Sequence, residues 1–247
     1  MTDPVDIVPA LSDNYIYLLH VGESGAIAVD PGEAAPIIAH LESEGRCLTH
    51  ILITHHHYDH TGGNSVLKER YACEVIGPDD QRVPELDRVV CEGDSFELGP
   101  YEIQVLETPG HTTSHISFFF PRQGIVFPGD TLFLGGCGRL FEGDAATMWQ
   151  SLQKLMRLPD ETRVYCGHEY TAGNLRFAAS LEPDNQSIQS RIAAMDAKCS
   201  MPGTLAEEKV TNPFLRVEDP LLMEALGMTG ASPVEVFAKV RALKDQF

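Results

Sequence analysis

Four short apolar segments of this chain end alike: each runs into a small-residue turn that carries a metal-ligand side chain. Ile51-Leu52-Ile53 leads into Thr54-His55-His56-His57-Tyr58-Asp59-His60, with Gly62-Gly63 just beyond. Ile103–Leu106 leads to Thr108-Pro109-Gly110-His111-Thr112, and Ile125-Val126 to Phe127-Pro128-Gly129-Asp130-Thr131. Val164-Tyr165 leads to Cys166-Gly167-His168-Glu169. One glycine turn with a polar residue is usually structural. Four of them after four strand-like runs are far more specific, because rigid scaffolds place functional side chains on loops at element ends. Strands ending this way can converge at one edge of a sheet sandwich.

The first run packs four histidines and a carboxylate into seven residues. In an extended chain, side chains at i and i+2 share a face, so His55 and His57 can hold one cation. Asp59 and His60 follow closely and can reach a second. Zinc takes neutral imidazole nitrogen and carboxylate oxygen at about 2.0–2.2 Å. The competing reading is a surface or tag-like histidine cluster. A tag would sit at a terminus, with no preceding strand and no interposed aspartate.

The 247 residues, 43% of them hydrophobic, suffice for one large domain or one domain with an appendage. A net charge of −18 argues against broad nucleic-acid binding, which needs a basic face. It also repels anions at long range, although screening beyond roughly 8 Å leaves a local basic patch effective. Cys47, Cys73, Cys91, Cys137, Cys166 and Cys199 form no C-x-x-C pair and read as the reduced thiols of a cytosolic protein. The segment MTDPVDIVPALSDN is acidic and lacks an apolar signal core. No run approaches the ~18 apolar residues of a membrane span. A cytoplasmic protein without membrane or nucleic-acid partners is expected.

Residues up to about 170 read as α/β. Tyr15–Val21 and Ala26–Val29 predict a hairpin, and Pro36–Glu44 a helix closed by Gly45. Thr49–Ile53, Glu74–Gly77, Glu102–Leu106, His115–Phe120, Gly124–Phe127 and Arg163–Cys166 read as strands. Asn64–Tyr71 reads as a helix, and Asp144 caps another through Arg157. After His168 strand signals cease. Thr171–Gln189 and Gln186–Cys199 read as helical, Met201-Pro202-Gly203 as a turn, and Ser232-Pro233-Val234-Glu235 as a capping box opening the last helix. We therefore expect an α/β domain over 1–170 and a helical domain over 171–247.

The T-H-x-H-x-D-H run with later single His, Asp and His resembles the metallo-β-lactamase superfamily. Within it, the whole chain is similar to the glyoxalase II (hydroxyacylglutathione hydrolase) family. The similarity is carried by Asp13-Asn14-Tyr15-Ile16, the stretch Gly135-Gly136-Cys137-Gly138-Arg139-Leu140-Phe141-Glu142-Gly143, Gly167-His168-Glu169-Tyr170-Thr171, Asn212-Pro213-Phe214 and Lys244-Asp245-Gln246-Phe247. The resemblance implies an αββα sandwich followed by a smaller helical domain. It implies that His55, His57 and His111 hold one divalent ion, that Asp59, His60 and His168 hold a second, and that Asp130 bridges them. The ions are expected to be zinc, with iron or manganese also suited to these ligands. Arg139, Arg241 and Lys244 would bind the carboxylates of a glutathione thioester, and Tyr170 its peptide part. Arg139 and Phe141 stand where some members have lysine and tyrosine, so the charge is kept and one hydroxyl is missing. His115 and Asp30 are expected to support the ligands or the packing around them, turn capping being an equal reading of Asp30. His20, His40, His50 and His56 lie off the pattern and read as ordinary polar residues.

The implied reaction is hydrolysis of S-D-lactoylglutathione to D-lactate and glutathione, the second step of methylglyoxal detoxification, by a hydroxide bridging the two ions and held in line by Asp59. A thiolate leaving group, with a conjugate pKa near 8.5, needs no general acid. No G-x-S-x-G elbow and no cysteine motif points to an acyl-enzyme. The rival readings are a mononuclear iron persulfide dioxygenase or a β-lactamase of the same superfamily, and a non-catalytic metal-stabilised binding protein. The helical C-terminal segment with Arg241 and Lys244 argues for the thioesterase, as a monomer. A purely structural zinc site is usually four-coordinate, which argues against the binding protein.

Overall fold

The computed structural model describes residues 4–195 and 199–247. The chain forms two compact units, Met1–Glu107 with Ser114–Gly129, and Thr108–Thr113 with Asp130–Phe247.

The first unit starts with β1 (Val5–Ala10), β2 (Asn14–Val21) and β3 (Gly25–Val29), an antiparallel meander. α1 (Ala34–Glu44) then crosses back so that β4 (Cys47–Leu52) lies parallel to β3. Gly45 closes α1 in the left-handed conformation, its N–H on the Leu41 and Glu42 carbonyls. The short α2 (Tyr58–Thr61) and α3 (Asn64–Tyr71) return the chain to β5 (Glu74–Gly77) and β6 (Arg88–Val89), giving the order β1-β2-β3-β4-β5-β6. β7 (Ser95–Leu98), β8 (Tyr101–Glu107), β9 (Ile116–Phe120) and β10 (Ile125–Phe127) form a second antiparallel set.

β2 is buried on both sides. Ile16 and Leu18 join Ile51, Val75, Ile37, Leu41 and Leu67 in a core under α1 and α3. Tyr17, on the opposite face, stands 5.3 Å from Phe127 of β10, and Phe120 stands 5.3 Å from the same ring. The two sheets therefore share an aromatic layer, and each fully buried large side chain adds about 1.5–3 kcal/mol.

The second unit holds the hairpin β11 (Leu132–Phe133) and β12 (Gly136–Cys137), then α4 (Ala145–Met156), β13 (Arg163–Val164), α5 (Thr171–Leu181) and α6 (Gln186–Ala194). β14 (Gly203–Thr204), α7 (Leu205–Thr211), α8 (Pro220–Ala225) and α9 (Pro233–Lys244) follow. Asp144 caps α4 by accepting from Thr147 N, and Ser232 with Glu235 forms the expected box on α9. Phe177, Phe214, Phe237 and Trp149 chain together with ring centroids 5.5–6.4 Å apart.

Three expectations need correction. Helix over Thr171–Gln189 stops at Leu181, because Pro183 cannot donate and Asn185 starts α6 by accepting from Ser187 N and Ile188 N. The next helix, expected over Gln186–Cys199, ends at Ala194, where Met195 turns extended (φ −65°, ψ 132°); residues 196–198 lie outside the described residues. Strand pairing does not cease after His168: Gly203–Thr204 pairs antiparallel with Arg163–Val164. A two-residue strand is too short to show periodicity.

Candidate metal centre

In the first unit the ligand run leaves β4 in extended conformation at His55 and His57, then turns into α2 at Tyr58. Asp59 and His60 thus sit on a helical turn, not on an extended loop. His55 Nε2 lies 3.0 Å from His57 Nδ1. Asp30, with φ +51°, organises the run. Its Oδ1 accepts from Thr54 N at 2.8 Å and its Oδ2 from Thr54 Oγ1 at 2.7 Å. Thr54 Oγ1, having spent its proton on Asp30, accepts from His55 Nδ1 at 3.0 Å. Asp30 Oδ2 also accepts from His60 Nδ1 at 3.0 Å. Both imidazoles are thereby fixed with Nδ1–H outward and the Nε2 lone pair inward.

His60 Nε2 lies 3.5 Å from Asp59 Oδ2, and Asn14 Nδ2 donates to that oxygen at 3.0 Å. Gly32 is required here: a Cβ on it would come 1.8 Å from the Asp59 carbonyl oxygen. His115 stacks on His55 at 4.9 Å. His56 faces Asp80 at 3.4 Å, and the Arg82 guanidinium, chiefly, holds Asp80 well below the usual carboxylate range.

In the second unit His111 Nδ1 donates to the Arg139 carbonyl at 2.9 Å, which leaves its Nε2 lone pair facing Asp130 Oδ2 at 3.5 Å. His168 Nε2 lies 3.3 Å from the same oxygen. All three residues are buried. At His111 a nitrogen lone pair set against a carboxylate oxygen is repulsive, and a cation between them would turn that repulsion into attraction. Two ligands of a tetrahedral ion with bonds of about 2.0–2.2 Å would stand about 3.3–3.6 Å apart, the spacing seen in both units. The donor set, neutral imidazoles with carboxylates, fits a divalent ion, and clusters of these residues could hold one.

The loop after β12 is built to carry these contacts. A Cβ at Gly138 would lie 2.0 Å from the Asp130 carbonyl oxygen. Glu142 Oε2 accepts from Thr113 N at 2.8 Å. Asn212 donates to Gly136 O and to Glu208 Oε2, both at 2.9 Å, and Gly135 N donates to Glu208 Oε2 at 2.8 Å.

The basic residues follow on the same unit. Arg139 is exposed, as is Phe141, whose ring stands 5.2 Å from His111. Tyr170 stacks flat on His168 at 4.8 Å. Lys244 lies over the rings of Phe177 and Phe247 at 5.3 and 5.2 Å. Burial first, then the charges of Arg241, Arg176 and Arg139, hold its ammonium below the ordinary lysine value, with Asp245 opposing. Arg241 is buried: Nη1 donates to the Cys137 carbonyl at 3.1 Å and Nε to Asp245 at 3.0 Å. Asn14, Thr54 and Arg176 carried no role in the sequence reading, since their partners lie far along the chain. Burial pushes the Cys137 thiol up to about 12 and raises that of Cys166 in the same way, so both stay protonated.

The Metallo-beta-lactamase superfamily profile matches residues 11–168, and that of the Hydroxyacylglutathione hydrolase C-terminus matches 169–247. The hydroxyacylglutathione hydrolase of Rhodospirillum rubrum is 50% identical over 97% of both chains. Among solved structures, ETHE1 from Myxococcus xanthus superimposes with a TM-score of 0.70 at 28% identity, covering 96% of this chain and 89% of that one. TTHA1623, solved in a di-iron-bound form, gives a TM-score of 0.63 at 28% identity over 84% of this chain and 98% of its own. The chain carries the metallo-β-lactamase fold followed by a helical region, and it belongs to the hydroxyacylglutathione hydrolase family of the metallo-beta-lactamase superfamily.

Proposed function

We propose that this chain is a cytoplasmic, monomeric hydroxyacylglutathione hydrolase that cleaves S-D-lactoylglutathione to D-lactate and glutathione, and that residues 1–170 carry the chemistry and 171–247 the substrate. The observation that carries this reading is full-length likeness to such an enzyme in a chain that keeps every ligand type of the family. Among the described residues no helix is long and apolar enough to cross a membrane.

On this reading His55, His57 and His111 would hold one zinc ion and Asp59, His60 and His168 a second, with Asp130 available to both; the di-iron form of TTHA1623 favours a pair of ions over one. When bound, two such ions supply a water acidified from pKa 15.7 to about 7 and an electrophile for the thioester carbonyl. The chain's own part is orientation. Asp30 and the Arg139 carbonyl keep the imidazole lone pairs aimed, and Asn14 holds Asp59, which aligns the attacking oxygen. Arg139 and Lys244 take the glutathione carboxylates. Arg241 offers what remains of a guanidinium already engaged by Asp245 and Cys137, and Tyr170 presents its face beside His168. The leaving thiolate needs no acid from the protein. Thiol release from S-D-lactoylglutathione by zinc-loaded protein tests the reading. Turnover is expected with the seven ligands occupied by two ions and no oxygen uptake; loaded protein that releases no thiol overturns it.

A further inference from the structure

We infer that the first unit carries another metal site, apart from the seven family ligands, made by Asp6 of β1, His20 of β2 and Glu44 at the end of α1, with His40 of α1 as fourth ligand. It would take one borderline divalent ion such as zinc. β1 and β2 pair with Asp6 opposite Leu18, so Asp6 and His20 emerge on the face that α1 covers. His40 and Glu44 are one helical turn apart on α1 and share its face.

The distances argue for coordination. His20 Nε2 lies 2.8 Å from Asp6 Oδ2 and 3.1 Å from Glu44 Oε2. His40 Nε2 is hydrogen-bonded to Asp6 Oδ2 at 3.3 Å, a contact an ion would replace, and lies 3.7 Å from Glu44 Oε1. One ligand atom each from Asp6, His20 and Glu44 fits within 4.8 Å of the others. These separations straddle the edge of a zinc tetrahedron, about 3.3–3.4 Å for bonds near 2.0–2.1 Å. His20 Nε2 is itself shut off from solvent, and despite its close carboxylates it makes no hydrogen bond of acceptable geometry. Two neutral imidazoles with two carboxylates suit zinc better than magnesium or calcium, which prefer all-oxygen shells. Arg46 Nε, 3.4 Å from Glu44 Oε2, offsets part of the Glu44 charge and leaves Asp6 to the imidazoles. An ion here would tie the first strand to α1, and so would stabilise the folded chain.

The test compares zinc per chain, by equilibrium dialysis and elemental analysis, in the wild type and in a variant combining His20→Gln with His40→Gln. Both keep the seven family ligands, so the difference between them is independent of whether the thioesterase reading stands. The wild type should retain one more zinc than the variant, with thioester hydrolysis unaltered. Equal stoichiometry overturns the proposal. On intact wild-type protein already holding two ions, further zinc should shift the imidazole NMR signals of His20 and His40; unmoved signals overturn it as well.

Discussion

Asp30 is one carboxylate serving three donors, Thr54 N, Thr54 Oγ1 and His60 Nδ1. Partners of this kind typically hold 10- to 100-fold in metal affinity, so Asp30→Ala should weaken zinc binding by about that factor in a chelator competition. In the sequence Asp30 was readable only as a turn residue or a ligand support, because its two partners lie 24 and 30 positions away. In the structure its side chain accepts from Thr54 and His60. Lys244→Ala should raise KM about 10- to 100-fold with little change in kcat, the scale of one charge-assisted hydrogen bond lost from uniform binding. Its depressed pKa gives a second readout. The unfolded chain holds this proton more tightly than the folded one, so protonation favours unfolding. The wild type should therefore gain stability over Lys244→Ala as pH climbs through the folded-state pKa toward the ordinary value of 10.5, followed by urea midpoints. Arg176, which helps depress Lys244, had no signal at all, being 68 positions away on another helix.

At the scale of elements, the β11–β12 hairpin is held by α7. Glu208 is fully buried; it pairs with Arg191 of α6 and accepts from Gly135 N and Asn212 Nδ2. Glu208→Ala strands the guanidinium and leaves buried donors unmet, which should cost about 3–5 kcal/mol in urea denaturation. Most helices and longer strands were legible because each announces itself locally: Asp144 and Ser232 cap, Gly45 closes, and Ile16 to Leu19 are apolar on both faces. β14 and the Glu208 pair were not, since two residues make no periodic pattern and a buried glutamate in sequence resembles a solvated one. The histidines and aspartates proposed as ligands stood out because a small-residue turn after an apolar run marks them one by one.

At the scale of the whole molecule, the net charge of −18 is set against Arg139, Arg176, Arg241 and Lys244 gathered in the second unit, so on the proposed reading an anionic substrate would be met by local contacts and not by the overall field. Ions that bind only the folded chain stabilise it by mass action, about 2.7 kcal/mol each at 100 times Kd. Chelation should therefore lower the thermal midpoint together with thiol release, and added zinc should restore both, read by differential scanning fluorimetry. Position 139 works through different atoms: its backbone oxygen anchors His111, while its side chain is exposed. Exchanging that side chain would consequently leave the His111 imidazole in place, whereas cutting or lengthening the loop there would disturb both at once.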